Sequence, residues 1–178
     1  RLEGANWKVF SVPKRFKQNE YKRYTILTAS IFLLLILGAW VSSSPNTNQG
    51  CSIGFPDGWP KCQGDILPSL DNSGILIQMV HRMGAGVVGV ALIFGAIKFK
   101  ENAREEGVHN AYSKCLDTAV AFWLVNVFVG GLYIVYAKMG DFPEGLSLLH
   151  LVLGVASFLS ASIGLMLLRL SEEGAEDE

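Results

Sequence analysis

Positive charge is nearly missing from two stretches of this chain. Residues 45–73 carry only Lys61, and residues 137–144 only Lys138. Lysine and arginine collect in cytoplasmic loops, so neither stretch suits the cytoplasmic side of a membrane. Histidine is also scarce: there are three in 178 residues and none within 45–73. The cysteines of that stretch therefore lack the imidazoles of a mixed zinc site. No Cys-x-x-Cys pair occurs, which removes the usual signature of a thiol-exchange enzyme. No nucleic-acid partner is expected, and the net charge of −1 hides a strong asymmetry along the chain.

Apolar sequence is plentiful. Four runs, about 24–41, 74–99, 116–136 and 145–168, reach the roughly 20 residues a helix needs to cross a bilayer. The first is long, has no small-x-small cleavage site and is followed by further runs, which argues against a cleaved signal. Seven Lys/Arg precede it, and Lys98, Lys100, Arg104 and Lys114 lie between or beside the second and third runs. The expected fold is all-α and integral to the membrane, a four-helix transmembrane bundle spanning residues 24–168. Both termini would be cytoplasmic, with one long outer loop at 45–73. Residues 1–23 form a basic segment that either lies along the inner membrane surface or serves only to fix topology. Residues 169–178 read as an acidic, solvated, disordered tail.

Cys51 and Cys62 fall in the outer loop, where two nearby thiols are expected to oxidise to a disulfide. Closing such a ring stabilises a loop by roughly 2–3 kcal/mol in the chain-entropy picture. The pair is either a plain staple or redox-active. Gly54, Pro56, Gly58 and Pro60 make the enclosed segment a series of turns, and Trp59 suits a cap lying against the membrane interface. Cys115, at the start of the third run, reads as a free, inert thiol.

Ionisable side chains are costly in hydrocarbon, so an intramembrane histidine marks a candidate site. At 1.5 Å per residue, His81 lies roughly 10 Å and His150 roughly 7–8 Å below the outer surface, on spans running in the same direction. Two imidazoles at one level can hold a metal, or a haem iron, between two helices. Gly84 and Ala85 share the face of His81, and Gly154 that of His150. These small residues leave room for a flat macrocycle, or they mark ordinary close helix packing. Arg82 sits well inside a span. It suits a carboxylate such as a haem propionate, or a salt bridge to Asp71 or Glu144. Asn126, midway through the third run, is expected to satisfy an interhelical hydrogen bond, with contact to a substrate as the alternative. His109 lies in a polar cytoplasmic loop, outside any site. Residues 84–89 read GxGxxG, but that fingerprint has a mechanism only at a strand-to-helix turn; here it is a packing face.

The string WPKCQG after an earlier cysteine, QMVHR early in the next span, and His150 in LSLLHLVLGVAS together resemble the heme A synthase family. The resemblance covers roughly residues 25–170. It implies oxidation of a ring methyl of haem O to a formyl group, giving haem A for terminal oxidase assembly. It also implies His81 and His150 as axial ligands of haem iron, Arg82 near a propionate, and the Cys51–Cys62 loop as a cap. Haem b or haem O would be the bound haem. Members usually have eight helices in two similar halves, and this chain looks like one half. The resemblance therefore also implies a homo-oligomer in a prokaryotic cell membrane, with haem O synthase and an electron donor as partners. Two positions depart from the pattern. The cysteines are further apart than expected, and Gln78 stands where the family's first half carries a glutamate. An amide cannot act as a general base. Two rival readings share parts of this pattern. One is a non-catalytic membrane haem protein that carries electrons or stores haem. The other is a quinone-linked thiol oxidoreductase.

Overall fold

The computed structural model describes residues 11–44, 47, 50–171 and 173–174. Four long helices dominate: α1 (Lys14–Ser43), α2 (Ser73–Glu105), α3 (Ala111–Val135) and α4 (Glu144–Leu170). All four are long and apolar enough to cross a membrane. Each extends past the apolar run that announced it. The polar residues that prolong α1 at 14–23 and α2 at 100–105 are mostly good helix formers, so the helices continue once the apolar stretch ends.

Local chemistry sets the boundaries. The Asn72 side chain caps α2 by accepting from the Gly74 and Ile75 amides at 2.8 and 3.4 Å. At the other end Gly107 takes a positive φ of 63°. The Val108 amide donates to Ala103 O and the Gly107 amide to Arg104 O, a paired bonding pattern that closes a helix on a left-handed glycine. Pro143 precedes α4, whose first turn carries Glu144, favourable at the positive end of the helix dipole.

Around the bundle α1 packs on α2 and α4, and α3 packs on the same two, with α3–α4 the most extensive pair. The helices α2 and α4 are therefore diagonal partners, with no backbone approach between them. The packed core fills the half nearer the chain ends. Phe99 meets the rings of Phe16 and Tyr24 edge-on at 5.6 and 5.5 Å, alongside buried Leu92, Tyr112, Leu116 and Leu168. The opposite half holds the cysteine loop, with a small cluster of Cys51, Cys62 and Met79.

At the first end, residues 14–23 belong to α1, and residues 1–10 lie outside the described residues. The tail was expected to be free from 169. Instead α4 runs to Leu170, and a two-residue strand β2 (Glu173–Gly174) pairs in parallel with β1 (Val12–Pro13). Lys17 reinforces this junction by donating to Ser171 O at 2.6 Å.

Candidate functional site

His81 on α2 and His150 on α4 face each other across the bundle diagonal. Their ring centroids lie 6.4 Å apart and their planes are inclined by 78°. An ion held end-on by two imidazoles, with bonds of about 2 Å, sets the centroids roughly 6 Å apart. The observed spacing is close to that distance.

The two rings are held differently. His150 Nδ1 lies 3.0 Å from the main-chain carbonyl of Asn126 on α3. A carbonyl only accepts, so Nδ1 carries the hydrogen and Nε2 keeps its lone pair, the form that binds a metal. His81 Nδ1 is buried without a partner. Glycines make room for both rings. A Cβ on Gly38 of α1 would come within 3.1 Å of His81 Cε1, and one on Gly130 of α3 within 2.8 Å of His150 Cε1. The small residues singled out from sequence do other work. A Cβ on Gly84 would strike Leu34, one on Gly154 would strike Leu35, and Ala85 packs against the core. They serve close helix packing. Gly38 and Gly130 escaped sequence reading because they lie on α1 and α3, away from the histidine-bearing spans.

Arg82 pairs with neither Asp71 nor Glu144. Its guanidinium donates at 2.9 Å to the carbonyls of both Gly58 and Lys61, inside the disulfide ring, and at 3.2 Å to Gln78 Oε1. Planar forks suit such convergent acceptors. Gln78 is itself buried, and its Nε2 donates to Thr47 O. The amide thus uses its acceptor on Arg82 and its donor on the loop, a double role a carboxylate cannot fill. The expected Cys51–Cys62 disulfide is present, with Cα atoms 4.7 Å apart. Trp59 is half-buried. A Cβ on Gly131 would lie 2.8 Å from its ring, so the indole lies on α3. Gly54 N donates to Ile134 O at 3.0 Å, fixing the loop to the end of the same helix.

Asn126 makes the expected interhelical hydrogen bond, through its main-chain carbonyl, while its Oδ1 is buried and unpartnered. His109 sits in the α2–α3 turn, far in sequence from the pair, with its Nδ1 accepting from the Ala111 amide. Cys115 is free and half-buried at the start of α3, at the other end from the disulfide.

Among the described residues no three His, Cys, Asp or Glu side chains converge as a metal site. The protein alone therefore supplies two donors at this place. A haem iron needs only two, since the macrocycle brings four nitrogens. The facing imidazoles, the fixed tautomer of His150 and the two glycine cradles fit such a group.

No protein-family model and no solved structure matches the chain. Curated heme A synthases do. That of Alkalihalophilus pseudofirmus is 26% identical over 156 residues, covering 87% of this chain and 48% of the relative. Those of Lysinibacillus sphaericus and Bacillus cereus are 25% and 24% identical, each over 80% of this chain and 43% and 42% of the relative. The chain spans about half the length of the curated relatives it matches. With four membrane-length helices, it is a multi-pass membrane protein similar along most of its length to half of a heme A synthase.

Proposed function

We propose that this chain is a heme A synthase-like membrane oxidoreductase that holds haem between His81 and His150. Its reaction would be oxidation of a ring methyl of haem O to a formyl group. The observation that carries this reading is the facing of two imidazoles at 6.4 Å on diagonal helices, one of them fixed with a free Nε2. When bound, the haem supplies the oxidative chemistry, while the protein binds and orients it. His150 is oriented by the Asn126 carbonyl, and His81 is positioned by the space at Gly38. The Cys51–Cys62 loop is fastened by Arg82 and Trp59, and as a cap over the site it would exclude water. Positive charge bias puts this loop outside and the chain ends in the cytoplasm. A second copy of the chain is proposed as a partner. Haem O synthase and an electron donor complete the set of partners.

The test is an absorption spectrum of the purified protein with added haem, beside His81→Ala and His150→Ala. The bis-imidazole signal is expected in the parent and lost in both variants. A parent that gives no such signal after haem addition overturns the reading.

Gln78 favours a second reading, a haem protein that carries electrons or stores haem without oxidising it. The amide is committed at both ends and offers no base. Incubation with haem O and a reducing system, followed by mass analysis for haem A, separates the two.

A further inference from the structure

A buried polar atom without a partner costs about 1–3 kcal/mol, and native structures pair nearly all of them. Among the described residues four buried side-chain atoms have none: Glu20 Oε2, His81 Nδ1, Trp123 Nε1 and Asn126 Oδ1. Glu20 stands apart near the chain ends, where its other oxygen accepts from Arg23 and Asn102. The remaining three belong to the bundle interior at and below the histidine pair.

Trp123 and Asn126 are three residues apart on α3, so they share a face with about 4.5 Å of rise between them. They are only 3% and 8% exposed. The indole nitrogen lies against α2, where a Cβ on Gly89 would come within 2.8 Å of it. The Asn126 amide lies against α4, where a Cβ on Gly154 would come within 3.3 Å of Nδ2. One unpartnered atom is purely a donor and the other purely an acceptor. An unpartnered donor and an unpartnered acceptor one turn apart on one helix face complement one hydroxyl group. Its oxygen accepts from the indole and its hydrogen goes to the amide oxygen. The main-chain carbonyl of the same Asn126 holds His150, so this wall begins at the proposed iron ligand and runs one turn deeper.

We infer that Trp123 and Asn126 form a recognition site for an alcohol on the side chain of the bound tetrapyrrole. The inference rests on the haem reading above and deepens it: the ligand class is a haem bearing a hydroxyalkyl substituent. Haem O has such a substituent where haem b has a vinyl group. Both residues are specificity-determining; neither ligates iron.

The test titrates the full chain in detergent with haem O and with haem b, following the bis-imidazole spectrum. It compares the parent with Trp123→Phe and Asn126→Leu, which keep the bulk and the 126 carbonyl. Each variant is expected to weaken haem O binding about tenfold, the effect of one hydrogen bond in an apolar setting, and to leave haem b within about twofold. Unchanged haem O affinity in Trp123→Phe overturns the inference and assigns these atoms to a resident water. Equal weakening of both haems also overturns it, since that is a packing effect. In either case a normal spectrum leaves the haem reading standing, whereas no spectrum with either haem in the parent removes both. Trp123→Phe alone decides the matter should Asn126→Leu fail to fold.

Discussion

Gly130 and Gly38 set the positions of the two imidazoles, and the two cradles are not equally tight. A methyl at Gly130 would lie 2.8 Å from His150 Cε1 and 3.0 Å from Nδ1, whereas one at Gly38 would lie 3.1 Å from His81 Cε1. Gly130→Ala is therefore expected to push His150 off the Asn126 carbonyl and weaken haem binding by an order of magnitude or more. Gly38→Ala should have a smaller effect, read in the same titration. A Gln78→Glu variant keeps the Arg82 contact and forfeits the donor to Thr47 O. Its stability should fall by about 1–3 kcal/mol in chemical denaturation. If haem A appears only in that variant, the missing carboxylate is what limits the parent. At this scale the histidines were legible because charge-capable side chains are rare in apolar runs. The cradles were not, because a glycine in a span looks the same whether it faces a ring, a leucine or lipid. Gly130–Gly131 as an adjacent pair in one span was the available signal.

The loop from Cys51 to Cys62 behaves as one element with the top of the bundle. Arg82 binds two of its carbonyls, Trp59 lies on Gly131, and Gly54 donates to the end of α3. Cys51→Ser removes a crosslink between residues 11 apart, worth about 2–3 kcal/mol by chain entropy. Hydrogen exchange at residues 54–62 is expected to rise, while the core around Phe99 and Tyr112 keeps its protection. Helix α1 carries its own polar anchor in Glu20, only 1% exposed, bonded to Arg23 at 2.6 Å and to Asn102 of α2 at 2.7 Å. Glu20→Ala leaves both partners short of an acceptor and should cost about 1–3 kcal/mol, measured in the same denaturation assay. The four helices and the disulfide could be read from apolar run length and cysteine position. The landing of the loop on α3 could not, since it depends on a shape match between Trp59 and a glycine 72 positions later.

For the whole molecule, much of the helix surface is left uncovered by the chain itself. Only 17–28% of the most apolar stretch of each helix is buried. That surface meets lipid, and in the proposed assembly part of it meets a second copy. Native mass measurement in mild detergent is expected to find at least a dimer; a strictly monomeric protein with full haem binding would remove the need for one. Topology is checked by single cysteines in a Cys115→Ser background. Ser69→Cys and Met139→Cys should react with an impermeant thiol reagent from outside, and Glu101→Cys only after lysis. This scale was the least legible, because lipid-facing and partner-facing helices share one composition.

The small strand pair of Val12–Pro13 with Glu173–Gly174 bears on how such a molecule could grow. Four crossings bring the polypeptide back to the face from which it set out, and this clasp holds residues 12–13 beside 173–174. Position 174 of one unit and position 12 of another lie on the same side of the bilayer, so splicing them adds no further passage through it. Each unit in such a double-length fusion keeps its own orientation and its own pair of facing imidazoles.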